Sequence, residues 1–422
     1  VLGGAMVGRL SDRSQLITFD IGGTSADIGI VVNGELTETD ARSTSIAGFP
    51  LVMPMIDIHT IGAGGGSIAY VDQGGAFRVG PQSAGAVPGP AAYGRGGTEP
   101  TVTDANVVLG RLDPNDFLGG EMKLNAAASH QVIGELARKL GLSVNEAAEG
   151  VLTIINANMA NAIRSRTVQK GIDPRGFSLV ALGGAGPLHG AEVATMLDIH
   201  EVIVPAYPGI TSAMGLLTTD LAYDEVRTQF QISKATDVAR LNADFSDMER
   251  MISSQFKIDK IPSAAVSYKR AGDLRYVGQG YELKIEFPEG KLTKKSLKSV
   301  WNAFHEAHNK EYGHAFQATE IEVVNIRVAG RGEIPKLTSL KPLGQGSLND
   351  ALMRTQTCVF RVNGKQKIFD TAVYRREFLP IDKEFKGPAI ILQTDSTTIL
   401  PPKAKAIVNK TGSIIITFGE KK

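Results

Sequence analysis

Two aspartates near the start of the chain flank a tight glycine turn, and these residue types are suited to binding phosphate and a metal ion. Residues 15–32 read QLITFDIGGTSADIGIVV, with carboxylates at Asp20 and Asp27. The turn between them consists of Gly22, Gly23, Thr24 and Ser25. Paired glycines let backbone N–H groups approach a phosphate without a clash from Cβ, and the hydroxyls add donors. Because Mg²⁺ prefers carboxylate and phosphate oxygens, Asp20 and Asp27 are predicted to hold Mg²⁺, or Mn²⁺ in its place, through water.

The apolar runs on both sides of this turn predict the strands that position it. Residues 16–19 lead into the first aspartate, residues 28–32 follow the second, and Asn33 with Gly34 is a typical hairpin turn. No Gly-Lys-Ser/Thr sequence follows the glycines, so the segment is not a Walker loop. A plain hairpin with a tight turn is the alternative interpretation.

A second glycine turn follows a predicted buried strand at residues 177–182. Its glycines are Gly183, Gly184 and Gly186, and a helix is predicted to follow directly. Bare backbone can lie flat under a base or ribose, and a helix N-terminus favours anionic groups, so this turn is predicted to contact a nucleotide. His189 lies in the first turn of that helix, where the dipole disfavours an imidazolium. A neutral histidine is therefore expected, either in the cofactor site or in helix packing.

Residues 57–104 form a glycine-rich block with few large side chains. Such bare backbone is usually shaped around a ligand or a neighbouring chain, and a flexible linker is the alternative. His59 is a candidate ligand or general base, although a histidine in an apolar stretch is more often structural. Asp104 is expected at least to cap a helix, and a role in the site is the second interpretation.

The composition is that of an ordinary globular protein with room for two or three domains. The 422 residues are 42% hydrophobic and 21% charged, with a net charge of +1, which indicates neither a nucleic-acid partner nor a membrane partner. A single cysteine excludes a disulfide framework within the chain and fits a cytoplasmic location. No apolar run reaches the length of a membrane span. The chain does not begin with Met, which suggests a piece of a longer protein.

The order of these motifs resembles the hydantoinase A family, which includes ATP-dependent N-methylhydantoinases, 5-oxoprolinases and related subunits of acetone and acetophenone carboxylases. The resembling segments are residues 20–27, 60–67, 80–97, 100–105, 183–189, 208–215, 275–279, 305–313 and 387–398. One departure is Ala92, which stands where the family usually has cysteine. Another is the single Asp-x-Gly-Gly-Thr sequence, because family members carry a first such loop in an N-terminal domain. That domain is expected to be absent from this sequence, and residues 20–27 to correspond to the second loop.

The resemblance implies an α/β fold with an actin-like (ribonuclease H-like) ATPase domain. The half of this ATPase domain that carries the second phosphate loop and the adenosine loop is expected at residues 1–218. An α+β region is expected at residues 219–345, and a small β domain at residues 346–422.

The resemblance also implies an activity: opening of a cyclic amide, such as a hydantoin or 5-oxoproline, after ATP-driven phosphorylation of the amide oxygen. The implied cofactors are ATP and Mg²⁺, and the implied partner is a hydantoinase B-type subunit. Asp20, Asp27, His59 and Asp104 are the candidate catalytic residues. Two alternatives stay open, namely an ATP-using subunit of a ketone carboxylase and a non-catalytic piece that completes a partner's site. A sugar or acetate kinase would share the fold but would not explain residues 80–97.

Overall fold

The computed structural model describes residues 1–37, 45–46, 49–50, 55–334 and 346–419. The chain divides into two compact units, one formed by Val1–Leu217 with Leu337–Lys422 and the other by Thr218–Lys336.

The strands along the described chain are β1 (Leu16–Ile21), β2 (Ala26–Val32), β3 (Glu35–Leu36), β4 (Ser45–Ile46), β5 (Phe49–Pro50), β6 (Ile58–Ile61), β7 (Ser67–Val71), β8 (Phe77–Ser83), β9 (Ser178–Leu182), β10 (Glu201–Val204), β11 (Leu221–Ile232), β12 (Val266–Tyr276), β13 (Leu283–Phe287), β14 (Ile321–Gly332), β15 (Leu352–Val362), β16 (Lys365–Arg375), β17 (Phe385–Lys386), β18 (Ala389–Gln393), β19 (Ser396–Leu400), β20 (Lys405–Val408) and β21 (Ile414–Thr417). The α-helices described are α1 (Leu2–Leu10), α2 (Val102–Val108), α3 (Ala126–Leu140), α4 (Val144–Thr167), α5 (Gly186–Met196), α6 (Thr211–Leu217), α7 (Val238–Ile258), α8 (Lys294–Tyr312) and α9 (Leu348–Ala351). None of these described helices has the length and apolar character needed to cross a membrane.

The main sheet of the larger unit brings the two predicted glycine turns to one edge. Its described strands run in the order β17-β20-β21-β10-β9-β1-β2-β3, and β6 also pairs with β2. β1 and β9 are parallel neighbours, and β2 returns antiparallel to β1. Because both turns follow the carboxyl ends of adjacent parallel strands, they emerge side by side, at the place where α/β sheets commonly bind ligands.

Helices cover the main sheet on both faces, and β1 is buried along nearly its whole length. Ile17, Phe19 and Ile21 pack into a core that includes residues of α4 and α5. On the other face, Leu16 packs in a core with Met6 of α1. Successive side chains of a strand point to opposite faces, so this one short strand joins two helical layers.

The C-terminal strands belong to the larger unit. The sequence-based division placed a separate small β domain at residues 346–422, whereas the structure continues the main sheet with β21, β20 and β17. β21 pairs with β10, from Glu201 opposite Thr417 to Val204 opposite Ile414. This pairing covers a strand edge that would otherwise leave unpaired backbone groups. A second sheet, β15-β16-β18-β19, is formed by the same C-terminal segment.

The smaller unit is an antiparallel sheet packed against two helices, an α+β arrangement. Its described strands run in the order β11-β14-β12-β13. Phe245 and Phe256 of α7 and Phe304 of α8 are buried in its core. These aromatic side chains supply much of the apolar area that stabilises the unit.

Candidate active site

The two aspartates of the first turn lie directly opposite each other. The register of β1 and β2 pairs Asp20 with Asp27, so both carboxylates lie on the same face of the hairpin. Asp20 Oδ2 accepts a hydrogen bond from Ser212 Oγ, and Asp27 Oδ1 accepts one from Thr60 Oγ1 at 2.5 Å. Like charges in directly opposed positions destabilise a sheet, so this pair is a natural place for a cation.

The turn between the aspartates is open on its outer side. Gly22 and Gly23 are exposed, and a Cβ added to either would meet no atom within 4 Å. The Gly22 N–H donates to Ser25 O at 3.1 Å within the turn, so this residue would help a phosphate by lacking a side chain and not as a free donor. Thr24 is exposed and Ser25 is half-buried.

Part of the glycine-rich block braces this turn from behind. Gly65 N donates to Gly22 O at 3.1 Å, and Gly66 N donates to Gly23 O at 2.6 Å. A Cβ on Gly64 would come within 2.7 Å of Gly22 O, so only glycine allows this approach. The block is therefore ordered structure around the predicted site, in agreement with the ligand-shaped interpretation and not with a linker.

The second glycine turn lies against the first. Gly183 has φ +76°, its N–H donates to Pro208 O at 2.9 Å, and a Cβ here would lie 2.4 Å from Asp20 Oδ1. Gly184 is exposed, whereas Gly186 is buried with its would-be Cβ 3.1 Å from Phe19 O. The structure thus brings the predicted phosphate residues and Gly183 and Gly184 together.

A hairpin loop from the C-terminal segment completes this region. Asp395 lies in the turn between β18 and β19, and its Oδ2 accepts from Gly209 N at 2.8 Å. A Cβ on Gly184 would lie 3.4 Å from Asp395 O. Residues 387–398 are among the segments that resemble the hydantoinase A family, but the sequence predicts no role for them in the site. The resemblance of this segment is the signal that could have pointed to Asp395.

A cavity of about 160 Å³ opens between these segments. It is bordered by the turns at Gly22, Gly23 and Gly184 and by the hairpin loop at Asp395. Its other described lining residues are Gly65, Tyr93, Thr103, Asn106, Leu112, Phe117, Leu118, Ala185, Leu188, Gln393, Thr394, Ser396 and Thr397. The walls are therefore largely apolar, with polar groups beside the two glycine turns.

His59 is not brought to the aspartates. In the pairing of β6 with β2, Thr60 stands opposite Asp27 and His59 stands opposite the buried Ile28. Since neighbouring side chains of a strand point to opposite faces, it is Thr60 that reaches the carboxylate. A catalytic role for His59 stays a prediction from the sequence alone.

Asp104 faces inward and not toward the cavity. Its carboxylate is 0% exposed and accepts four hydrogen bonds. The donors are Ala92 N (2.8 Å), Ser129 Oγ (2.8 Å), Thr101 N (3.0 Å) and Thr101 Oγ1 (2.7 Å). It forms a capping box with Thr101 at the start of α2. The structure therefore gives Asp104 the cap role that the sequence predicted, and the neighbouring Thr103 and Asn106 line the cavity instead.

His189 is also internal. It is 1% exposed, its Nδ1 is 2.7 Å from Asn156 Oδ1, and its neighbour Leu188 is the residue that lines the cavity. Asn156 Nδ2 in turn donates to Glu192 Oε2 at 2.6 Å. Burial lowers the pKa of His189 to about 4, so the imidazole is neutral near pH 7.

This histidine predicts a pH-dependent stability. The unfolded chain protonates His189 at its ordinary pKa near 6.5, whereas the folded chain does not until about pH 4. The unfolded state therefore binds the extra proton first, and the free energy of unfolding should fall by up to about 3 kcal/mol between those two pH values. Urea unfolding of the wild type and His189→Gln across this range measures the difference. Equal pH slopes for both proteins would contradict it.

The Asp20–Asp27 pair has the donor chemistry for Mg²⁺. Among the described residues there is no cluster of three or more His, Cys, Asp or Glu that could hold a metal ion by itself. Mg²⁺ commonly uses one or two carboxylates and completes its shell with water and substrate phosphates. Two opposed carboxylates beside an open glycine turn fit that requirement.

Comparison with known proteins decides the family. The family model described as hydantoinase/oxoprolinase matches residues 1–225, and the model of the hydantoinase/oxoprolinase C-terminal domain matches residues 229–414. The chain belongs to the hydantoinase/oxoprolinase family. The family predicted from the sequence motifs is thereby confirmed.

The similar proteins are longer than this chain. An uncharacterized protein of Methanocaldococcus jannaschii is 34% identical, over 98% of the chain and 60% of its own length. Caprolactamase subunit alpha of Pseudomonas jessenii is 31% identical, over 96% of the chain and 58% of its own length. The nucleotide-free structure of acetone carboxylase superposes with a TM-score of 0.83 at 26% identity, covering 98% of the chain and 60% of that protein. The chain thus spans about three fifths of these hydantoinase/oxoprolinase relatives, and the predicted α/β, actin-like ATPase fold is confirmed.

Proposed function

We propose that this chain is the ATP-using component of an enzyme that activates a cyclic amide by phosphorylating its carbonyl oxygen. One observation carries the proposal: the opposed carboxylates of Asp20 and Asp27 stand beside an open glycine turn that shares a cavity with Gly184. This arrangement offers a place for phosphates and, next to it, a place for a small acceptor.

The chemistry explains why ATP is needed. A ring amide is stabilised by resonance and resists water. Its oxygen attacks the γ-phosphorus of ATP, the bond from that phosphorus to the bridging oxygen breaks, and ADP leaves. Water then adds to the activated carbon, and the C–N bond opens as the ring nitrogen takes up a proton, which leaves an acyl phosphate. A second water cleaves this acyl phosphate to the carboxylate and releases phosphate. Phosphoryl transfer of this kind needs mainly positioning and charge stabilisation from the protein.

The residues have separate parts in this proposal. Asp20 and Asp27 would hold Mg²⁺, or Mn²⁺, which neutralises charge on the phosphates when it is bound. Gly22 and Gly23 leave room for the phosphates. Gly184 offers bare backbone to the nucleoside, with Gly183 holding the turn against Asp20.

The relatives support two versions of this activity. A crystal structure of caprolactamase from Pseudomonas jessenii, which superposes with a TM-score of 0.79 at 29% identity, is described as ATP-dependent, and this supports a cyclic amide. The acetone carboxylase structure is described in terms of ATP-dependent acetone carboxylation, and this supports a ketone carboxylase subunit as the second candidate. Caprolactamase subunit alpha and the acetone carboxylase beta subunit of Xanthobacter autotrophicus, a further relative, are named as subunits, which supports a partner such as a hydantoinase B-type subunit. In the non-catalytic alternative, this chain carries out no reaction itself and only completes the ATP site of a partner.

Charge removal at the aspartates tests the proposal. Asp20→Asn and Asp27→Asn should each lower amide-stimulated phosphate release from Mg–ATP by about 100-fold, since preorganised charge at a reacting group is worth about 10²–10³ in rate. The assay follows phosphate release by the chain, alone and with its partner subunit, with a cyclic amide, a ketone or neither.

The matched control is Asp173→Asn, which removes an exposed aspartate that pairs with Arg175 away from the cavity. It should release phosphate like the wild type. Unchanged release by Asp20→Asn would contradict the proposal, and stimulation by ketone with bicarbonate but not by amide would favour the carboxylase version.

A further inference from the structure

Each aspartate of the candidate site is held by one hydroxyl group from a distant segment. Thr60 Oγ1, on β6, donates to Asp27 Oδ1 at 2.5 Å. Ser212 Oγ, on α6, donates to Asp20 Oδ2. An ionised carboxylate can only accept hydrogen bonds, so the hydroxyl supplies the proton in both cases. Among the described residues, no side chain donates to the second oxygen of either carboxylate. Each aspartate therefore has one oxygen that is held and one that is available to a cation.

The segment that carries Thr60 also holds the first glycine turn. Gly65 and Gly66 follow shortly after this threonine on the same stretch of chain. Gly65 N donates to Gly22 O at 3.1 Å, and the next N–H along the chain donates to Gly23 O at 2.6 Å. One short stretch thus contacts both the carboxylate and the glycine turn of the same hairpin. It therefore sets where this carboxylate lies relative to the turn that is proposed to bind phosphate.

The segment that carries Ser212 holds the second glycine turn in the same way. Gly183 N donates to Pro208 O at 2.9 Å, a few residues before this serine. The next residue along, Gly209, donates its N–H to Asp395 Oδ2 at 2.8 Å. This stretch thus contacts the second turn, the loop between β18 and β19 and, through its serine, the other aspartate. Both carboxylates are therefore held by segments that also hold a glycine turn.

The two hydroxyl-bearing residues lie at the surface of the site. Thr60 and Ser212 are exposed, whereas Asp20 and Asp27 are half-buried. Loss of an exposed hydrogen bond costs little folding free energy, because water replaces the missing partner. The contribution of these hydroxyls to stability is therefore small. Their main effect is on the direction in which the two carboxylates point.

We infer that Thr60 and Ser212 are positioning residues, which orient Asp27 and Asp20 so that the second oxygen of each carboxylate is presented to the metal ion. This inference rests on the proposed function and deepens it, because it names two residues that set metal affinity through the aspartates. Carboxylates that bind metals are usually hydrogen-bonded themselves, and removing such a partner typically lowers metal affinity or activity about 10–100-fold. Because both bonds are exposed, we expect a loss at the lower end of this range, about tenfold.

Nucleotide titration with and without metal tests this role without requiring turnover. Calorimetry of the chain with its partner subunit measures the affinity for a non-hydrolysable ATP analogue, once in excess Mg²⁺ and once in EDTA. Thr60→Val keeps the shape of the side chain but removes its hydroxyl, and Ser212→Ala removes the other hydroxyl. Each variant should bind the Mg²⁺ complex about tenfold more weakly than the wild type. The affinity in EDTA and the melting temperature should stay unchanged.

Two further variants serve as controls. Thr60→Ser retains a hydroxyl at the same position and should restore the affinity for the Mg²⁺ complex to that of the wild type. Ser178→Ala removes a hydroxyl that donates to Glu201 Oε1 at 2.7 Å, which is the same kind of bond at the opposite end of β9 from the glycine turn. It should bind the Mg²⁺ complex like the wild type. A loss confined to Thr60→Val and Ser212→Ala therefore reports on the aspartates.

The outcomes separate this inference from the proposed function. Three results would overturn the inference: wild-type affinity for the Mg²⁺ complex in Thr60→Val and Ser212→Ala, an equal loss with and without Mg²⁺, or no restoration by Thr60→Ser. Asp20→Asn and Asp27→Asn would in that case still lose phosphate release, and the proposed function would stand. If the wild type binds the analogue equally in Mg²⁺ and in EDTA, and the aspartate variants release phosphate normally, the proposed function fails and this inference fails with it.

Discussion

Asp104→Ala should lower the free energy of unfolding by about 3–5 kcal/mol, because it leaves several buried hydrogen-bond donors unpaired at a cost of about 1–3 kcal/mol each. The carboxylate is enclosed and accepts bonds from two backbone N–H groups and two hydroxyls. Alanine leaves those donors buried and unpaired, and it removes the cap at the start of α2. Urea unfolding monitored by circular dichroism measures the change.

Ser129→Ala is the matched control, because it deletes one of the four donors and leaves the carboxylate in place. Its cost should be about 1 kcal/mol, the usual value of a single hydrogen bond. A stable Asp104→Ala protein that had lost amide-stimulated phosphate release would contradict this account and return Asp104 to the catalytic role that the sequence suggested.

Gly183→Ala should destabilise the protein by about 3 kcal/mol, since strained left-handed backbone and a steric clash each cost about 1–3 kcal/mol. The residue has φ +76°, and the added methyl would lie 2.4 Å from both Asp20 Oδ1 and Ile21 O. A shift that relieves this contact displaces Asp20, so nucleotide affinity should fall as well. Thermal unfolding and nucleotide titration measure the two effects.

Gly184→Ala separates the effect of this turn on nucleotide binding from its effect on stability. Its added methyl meets an ordinary contact at 3.4 Å from Asp395 O, so the melting temperature should stay close to that of the wild type. Because the residue is exposed beside the cavity, nucleotide affinity should fall while stability does not. Equal melting temperatures for the Gly183 and Gly184 variants would show that the turn is not held as described.

Local sequence patterns were sufficient for the centre of this fold. Apolar runs around Asp20 and Asp27 predicted a hairpin, and β1 and β2 are that hairpin. The strand and helix around the second glycine turn were predicted in the same way and are β9 and α5. Both cases depend on neighbours in sequence, where hydrophobic period and turn residues are informative.

The remaining features depend on pairing between distant segments. The register of β6 on β2 decides that Thr60, and not His59, reaches Asp27, and a shift of one residue would exchange them. Likewise, the place of Asp395 beside Gly209 joins residues 186 positions apart. The joining of β21 to β10 is of the same kind. No local pattern specifies which distant strand edge or loop a segment will meet.

Calorimetric titration of the chain with Mg²⁺ and a non-hydrolysable ATP analogue tests the central claim most directly. We expect the wild type to bind with roughly micromolar strength and Asp20→Ala to lose this binding, because the opposed carboxylates would hold the metal that the phosphates share. Equal binding by the wild type and Asp20→Ala, or no binding by the wild type even when its partner subunit is present, would contradict the claim that this glycine turn and its two aspartates form the nucleotide site.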